Sequence, residues 1–114
     1  MTTFSPNITL YGYHRDGTES KVHTYTPEHQ LDSDCAAIAI ANANKFVAEW
    51  VGKWAGMSNS PDKFRAQLYF VAEFPDGRKA QELKDSGKLR SAEKVTAYVD
   101  RHNTKIFRKF AKLA

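Results

Sequence analysis

A two-layer α+β fold is expected for this 114-residue chain, and three features of the sequence lead there. Two β-rich segments turn back at Asp-Gly pairs, Asp16-Gly17 and Asp76-Gly77, a strong hairpin signal. A capped, amphipathic helical stretch follows each hairpin. The two turns are 60 residues apart and the two helix starts, Ser33 and Ser91, are 58 apart. The expected architecture is one domain over residues 1–114. It contains two ββα units that form a four-stranded, mainly antiparallel sheet with both helices packed on one face. Side-chain identity between the halves is negligible, so the repeat is one of architecture.

The first hairpin pairs a strand around Ile8-Thr9-Leu10-Tyr11-Gly12-Tyr13 with a strand over residues 21–26. Alternation puts Ile8, Leu10, His23 and Tyr25 on one face and Tyr11, Tyr13, Val22 and Thr24 on the other. Asp32-Ser33-Asp34 then offers side-chain acceptors to a helix N-terminus. The helix runs to Ala55. Its apolar face holds Ala36, Ala39, Ile40, Ala43, Phe46, Val47, Trp50 and Trp54, small at the start and bulky at the end. Gly56 is the expected C′ stop.

Residues 64–74 alternate between Phe64, Ala66, Leu68, Phe70, Ala72, Phe74 and more polar neighbours, the pattern of a half-buried strand. A helical reading competes, with Ser60 as N-cap and Pro61 at N1. The strand is preferred because the alternation is long and Tyr69-Phe70-Val71 suits a pleated surface. Pro75-Asp76-Gly77 turns the chain, and residues 78–83 return as a weaker, polar strand, with a short helix over residues 79–84 as the competing reading; Ser86-Gly87 ends it. Ser91 caps a last helix with Glu93 in its first turn. Ala92, Val95, Tyr98, Val99, His102, Ile106, Phe110 and Leu113 form its apolar stripe.

Composition is that of a globular domain, and fourteen aromatic residues argue against a disordered chain. No stretch reaches the roughly 18 apolar residues of a membrane span, and the N-terminus lacks the pattern of a secretory signal. The single Cys35 forms no internal disulfide, which fits a cytoplasmic location. The net charge of +4 is unevenly spread: residues 1–57 carry a net −2 and residues 58–114 a net +6. One side of the molecule is therefore expected to be basic.

The last helix concentrates that charge. Residues 101–114 hold five Lys or Arg and no Asp or Glu. At about 100° per residue, Lys94, Arg101, Lys105, Arg108 and Lys112 fall within about 60° of one another and make a ridge about 27 Å long. Such a ridge suits an acidic protein surface or a phosphate backbone. It is also what the solvent side of an amphipathic helix can look like, although solubilising faces usually mix both signs. Arg78 and Lys79, with Lys84, Lys88 and Arg90, form a second basic cluster that merges with the ridge if the return strand lies beside the helix. Tyr69 and Arg65, with Tyr11, Tyr13 and Arg15, are expected on the open face of the sheet. There they suit a protein hot spot or a base-stacking platform.

Catalytic signatures are sparse. There is no phosphate loop, no G-x-S-x-G and no H-E-x-x-H. His14 and His23 share a hairpin but no Cys, Asp or Glu stands at a metal-ligand spacing beside them. His102 reads as a core-edge residue. Cys35, in the first helical turn between acids, reads as a buried or half-buried structural cysteine. The expectation is a non-enzymatic binding protein with no cofactor or metal, docking on an acidic (host) protein through the basic helix. Small size and lack of motifs suggest, by analogy, a phage- or mobile-element-type modulator of a host nucleic-acid-handling machine. The alternatives are a nucleic-acid binder with little sequence preference and, more weakly, a small enzyme using His14, His23 or Cys35. A homodimer through the sheet is also open.

Overall fold

A computed structural model describes residues 1–15, 19–24 and 30–114, with the backbone alone for 19–23. In chain order it holds β1 (Thr3–Tyr13), β2 (Glu19–Thr24), α1 (Ala36–Ala55), β3 (Lys63–Glu73), β4 (Lys79–Asp85) and α2 (Ala92–Leu113). The class is α+β: an antiparallel sheet in the order β2-β1-β3-β4 carries the two helices on one face. The Asp16-Gly17 turn, Tyr25 and His29 lie outside the described residues.

β1 and β3 run antiparallel along their whole length, from Thr3↔Glu73 to Tyr13↔Lys63. The strand reading of residues 64–74 is the one observed, and Phe64, Ala66, Leu68, Phe70, Ala72 and Phe74 are all buried. A helix there would spread those six side chains around its axis and expose some of them, so burial outweighs the local Ser60-Pro61 start signal. Pro6 sits inside β1 without disrupting it. Phe4 exchanges backbone hydrogen bonds with Ser33, on the side away from β3. By alternation the missing Pro6 N–H also faces away from β3, short of the Thr9–Tyr13 stretch that pairs with β2. The β1–β2 register shifts between Leu10 and Tyr11, so Leu10↔His23 is followed by Tyr11↔Lys21 and Val22 has no counterpart.

α1 starts later than the capping signal implied. Its N-cap is Cys35, without a side-chain cap, while the Ser33 hydroxyl accepts from the Cys35 N–H. Ser33 is drawn into the bridge with Phe4, which fixes its backbone as extended and shifts the helix start two residues on. Cys35 is exposed, which corrects its reading as a buried or half-buried structural residue. Gly56 ends the helix but in a right-handed conformation (φ −85°), so the stop needs no left-handed residue. The small-to-bulky gradient holds. Ala39, Ala43, Val47 and Trp54 are buried, and Trp54 reaches the Phe64 ring at 5.2 Å between centroids.

α2 has the Ser91 cap, whose hydroxyl accepts from the Lys94 N–H. Its buried face is rotated from the expected stripe. Val95, Val99, Asn103, Ile106, Phe107 and Phe110 are buried, Tyr98 and His102 lie at the margin, and Leu113 is half exposed. The reason is that α2 is wedged between the sheet and α1, so a second side of the helix is covered. Asn103 marks that side: fully buried, it donates from Nδ2 to Asn44 Oδ1 (3.0 Å), and Asn44 donates in turn to Asp100 (2.8 Å). Asn103→Ala is expected to cost about 1–3 kcal/mol in urea unfolding, because Asn44 loses its donor across the helix interface.

Candidate docking surface

The segment that carries the basic residues is one unbroken helix. Lys94, Arg101, Lys105, Arg108 and Lys112 are all exposed along it. Asp100 and Asn103 define the flank toward α1. The opposite flank faces β4, where Lys109 Nζ stands 3.7 Å from Glu82 Oε2. The five-residue ridge therefore lies on the outer, β4-ward side of the helix layer. Among the described residues, none of the five is in an ion pair.

The other cations are placed differently. Arg65 sits on the open face of the sheet and is chelated by Asp85, with Nε at 2.9 Å from Oδ1 and Nη2 on Oδ2. It also contacts the Tyr13 hydroxyl at 3.4 Å and lies over the Tyr11 ring. The guanidinium holds the Asp85 carboxyl well below the usual carboxylate range, helped by the Gly87 N–H and the Gln67 amide. Arg78 pairs with Asp76 (2.6 Å) in its own turn and lies over the Phe74 ring. Lys84 meets Glu82 (3.4 Å), and Lys88 lies over the Tyr13 ring at 4.7 Å. Lys79 is exposed and free of ion pairs among the described residues.

The open face is more tied down than the sequence implied. Tyr13 is buried, so it offers no stacking surface. Tyr11 donates its hydroxyl to Gln67 (2.9 Å) and Tyr69 donates to Gln81. Tyr69 remains 39% exposed, and its cross-strand neighbour Leu83 is 75% exposed. Together with Asn7, Thr9 and Gln67 they line a shallow concavity of about 620 Å³. Leu83 was not singled out in the sequence. Counting pairs outward from the Asp76-Gly77 turn sets it opposite Tyr69 and sets Asp85 opposite Gln67, diagonal to Arg65. Thus the structure gathers Lys94, Arg101, Lys105, Arg108 and Lys112 on one ridge. Tyr69 and Arg65 lie on the other side of the sheet, and β4 stands between the two sets.

His102 joins the ridge to β4. Its ring stacks against Tyr98 with centroids 4.3 Å apart, and its Nδ1 is buried without a hydrogen bond among the described residues. Burial first, then the charges of Arg101, Lys84 and Lys105, push its pKa below 6.5, and Glu82 opposes them. A depressed folded-state pKa favours the neutral ring. The stabilisation is complete above the unfolded value of 6.5 and is lost as pH falls below it, because the unfolded chain takes the proton first. Thermal melts across this window should show a smaller acid-induced drop for His102→Gln than for the parent. An NMR titration should place the His102 midpoint below 6.5.

Among the described residues no three His, Cys, Asp or Glu side chains gather as a metal-holding group. No helix among them is long and apolar enough to cross a membrane. No protein-family model, curated protein or solved structure matches the chain.

Proposed function

We infer that the chain is a non-enzymatic binding module that docks on an acidic protein surface through the α2 ridge. The observation that carries this reading is the contrast among its cations. Arg15, Arg65, Arg78, Lys84 and Lys109 each meet a carboxylate of the same chain, whereas Lys94, Arg101, Lys105, Arg108 and Lys112 have none among the described residues; Lys45, Lys53, Lys63, Lys79, Lys88 and Arg90 also lack one there, but they are scattered over α1, β3, β4 and the segment after it, while the five share one face of one helix. Five like charges on one helix face repel one another. An anionic partner removes that cost and speeds the encounter. An acidic protein is favoured over nucleic acid because the base-stacking half of a nucleic-acid site is compromised. Tyr13 is buried, Arg65 is chelated, and the Tyr11 and Tyr69 hydroxyls are engaged. We also read the chain as two ββα units. The proposed setting, from size and lack of motifs, is a modulator of a host nucleic-acid-handling machine.

A salt series tests the reading. Labelled single-stranded and duplex oligonucleotides are expected to give no shift at about 50 mM salt, where non-specific binding is strong. Poly-glutamate should bind, and its affinity should weaken as salt rises. Oligonucleotide binding with a log–log salt slope near −3.5 to −4.5, as for five neutralised phosphates, would turn the reading toward nucleic acid.

A further inference from the structure

We propose that the outer edge of β4 receives an extended segment of the partner as an added strand, and that this segment alternates acidic with apolar residues. The proposal rests on the docking role of the α2 ridge and names what the ridge recognises. β4 hydrogen-bonds only to β3 among the described residues, so its other edge is open. The free groups can be identified. Arg78 C=O accepts from Phe74 N–H and Ser86 N–H donates to Ala66, both toward β3. By alternation, the N–H and C=O groups of Lys79, Gln81, Leu83 and Asp85 point away from β3. No proline or register shift interrupts the strand.

What borders this edge differs on its two sides. On the helix side, Glu82 stands between Lys84 (3.4 Å) and Lys109 of α2 (3.7 Å), and Lys105 and Arg101 follow Lys109 at successive turns of the same helix. On the open side, Leu83 is the most exposed apolar side chain of the sheet among the described residues and pairs across the strands with Tyr69. A strand added about 4.8 Å beyond β4 sends alternate side chains to these two sides. Those on the helix side meet cations and are acidic. Those on the open side run past Gln81, Leu83 and Asp85, and the one beside Leu83 and Tyr69 is apolar. A second copy of this chain fits poorly, because pairing β4 with β4 brings two basic ridges together across the new seam.

The test uses the full chain and four synthetic acetylated octapeptides. One alternates Glu and Val, one has the same composition in two blocks, and two alternate but are N-methylated on every second amide, one in each phase. The alternating peptide should bind, and one phase of N-methylation should weaken it about tenfold or more by removing the strand's donors while leaving charge untouched. The block peptide should bind less tightly. Gln81→Pro, which removes one outward N–H at an edge, should weaken the alternating peptide and leave poly-glutamate binding unchanged. Equal binding of all peptides overturns strand addition and leaves ridge docking intact. Failure of the peptides and poly-glutamate alike overturns both. A concentration-dependent dimer in light scattering that the peptide does not dissociate assigns the edge to a second copy. Preferential binding of an oligonucleotide assigns it to nucleic acid. Either result also overturns the proposal.

Discussion

Phe107→Ala should destabilise the protein by about 3–5 kcal/mol, a large share of the roughly 5–15 kcal/mol that holds a domain of this size. Phe107 is fully buried and ties three elements together. Its ring stands edge-on to Phe4 of β1 (6.1 Å), Phe70 of β3 (5.2 Å) and Phe110 of α2 (6.1 Å). Truncation removes these edge-to-face contacts, each worth about 0.5–1.5 kcal/mol beyond area, and leaves a cavity that the sheet cannot collapse to fill. Phe107→Leu should recover most of the loss, since it fills most of the volume. Leu113→Ala, at a half-exposed position past the sheet, should stay within about 0.5 kcal/mol. Urea midpoints with a constant m-value check all three. A loss below about 1.5 kcal/mol for Phe107→Ala would mean that α2 does not seat between the sheet and α1.

That residue also marks where the sequence stops being readable. The strand at Lys63–Glu73 was legible because its two-residue period runs unbroken through five large or small apolar side chains and on to Phe74 just beyond it. The α2 ridge was legible because helical geometry is local: spacings of three, four and seven return to one side wherever the helix packs. Asn103 was not, because its burial depends on α1 covering a second side of α2, and nothing in residues 92–113 announces a neighbour 59 positions away; Phe107 was not, because its place against Phe4 and Phe70 depends on how the helix is rotated over the sheet. The same holds for the open face. Alternation placed Tyr13 and Arg65 on it, but burial of the first and chelation of the second need Lys88 and Asp85, contributed beyond and at the end of another strand. The Cys35 outcome has a different cause. The local capping signal of Asp32-Ser33-Asp34 lost to a long-range bridge between Phe4 and Ser33. Local rules thus located the ridge, while the tertiary neighbours decided which other cations remained free to join it.

Reversing three ridge charges together, Arg101→Glu, Lys105→Glu and Arg108→Glu, should lower affinity for an acidic polypeptide by about a hundredfold or more. Each reversal turns an attraction into a repulsion worth on the order of 1 kcal/mol at an exposed site, and the three lie on consecutive turns. Stability should change little, by about 0.5 kcal/mol or less per site. Relief of repulsion within the ridge opposes the cost of acids near the helix C-terminus. Net charge alone is a rival explanation, since each reversal shifts it by two and the triple variant moves from +4 to −2. Reversing the exposed Lys45, Lys53 and Lys63 instead makes the same change in net charge away from the ridge. If both triple variants lose binding equally, the molecule is attracting anions as a whole and the ridge has no special role. If only the first does, the helix geometry is responsible. His102 supplies a readout inside the free protein. Two of the cations that depress its pKa become anions in the ridge variant, so its NMR titration should move upward there and stay in place in the control. A midpoint that does not move would mean Arg101 and Lys105 do not stand over β4, and the docking surface would lose its inner half.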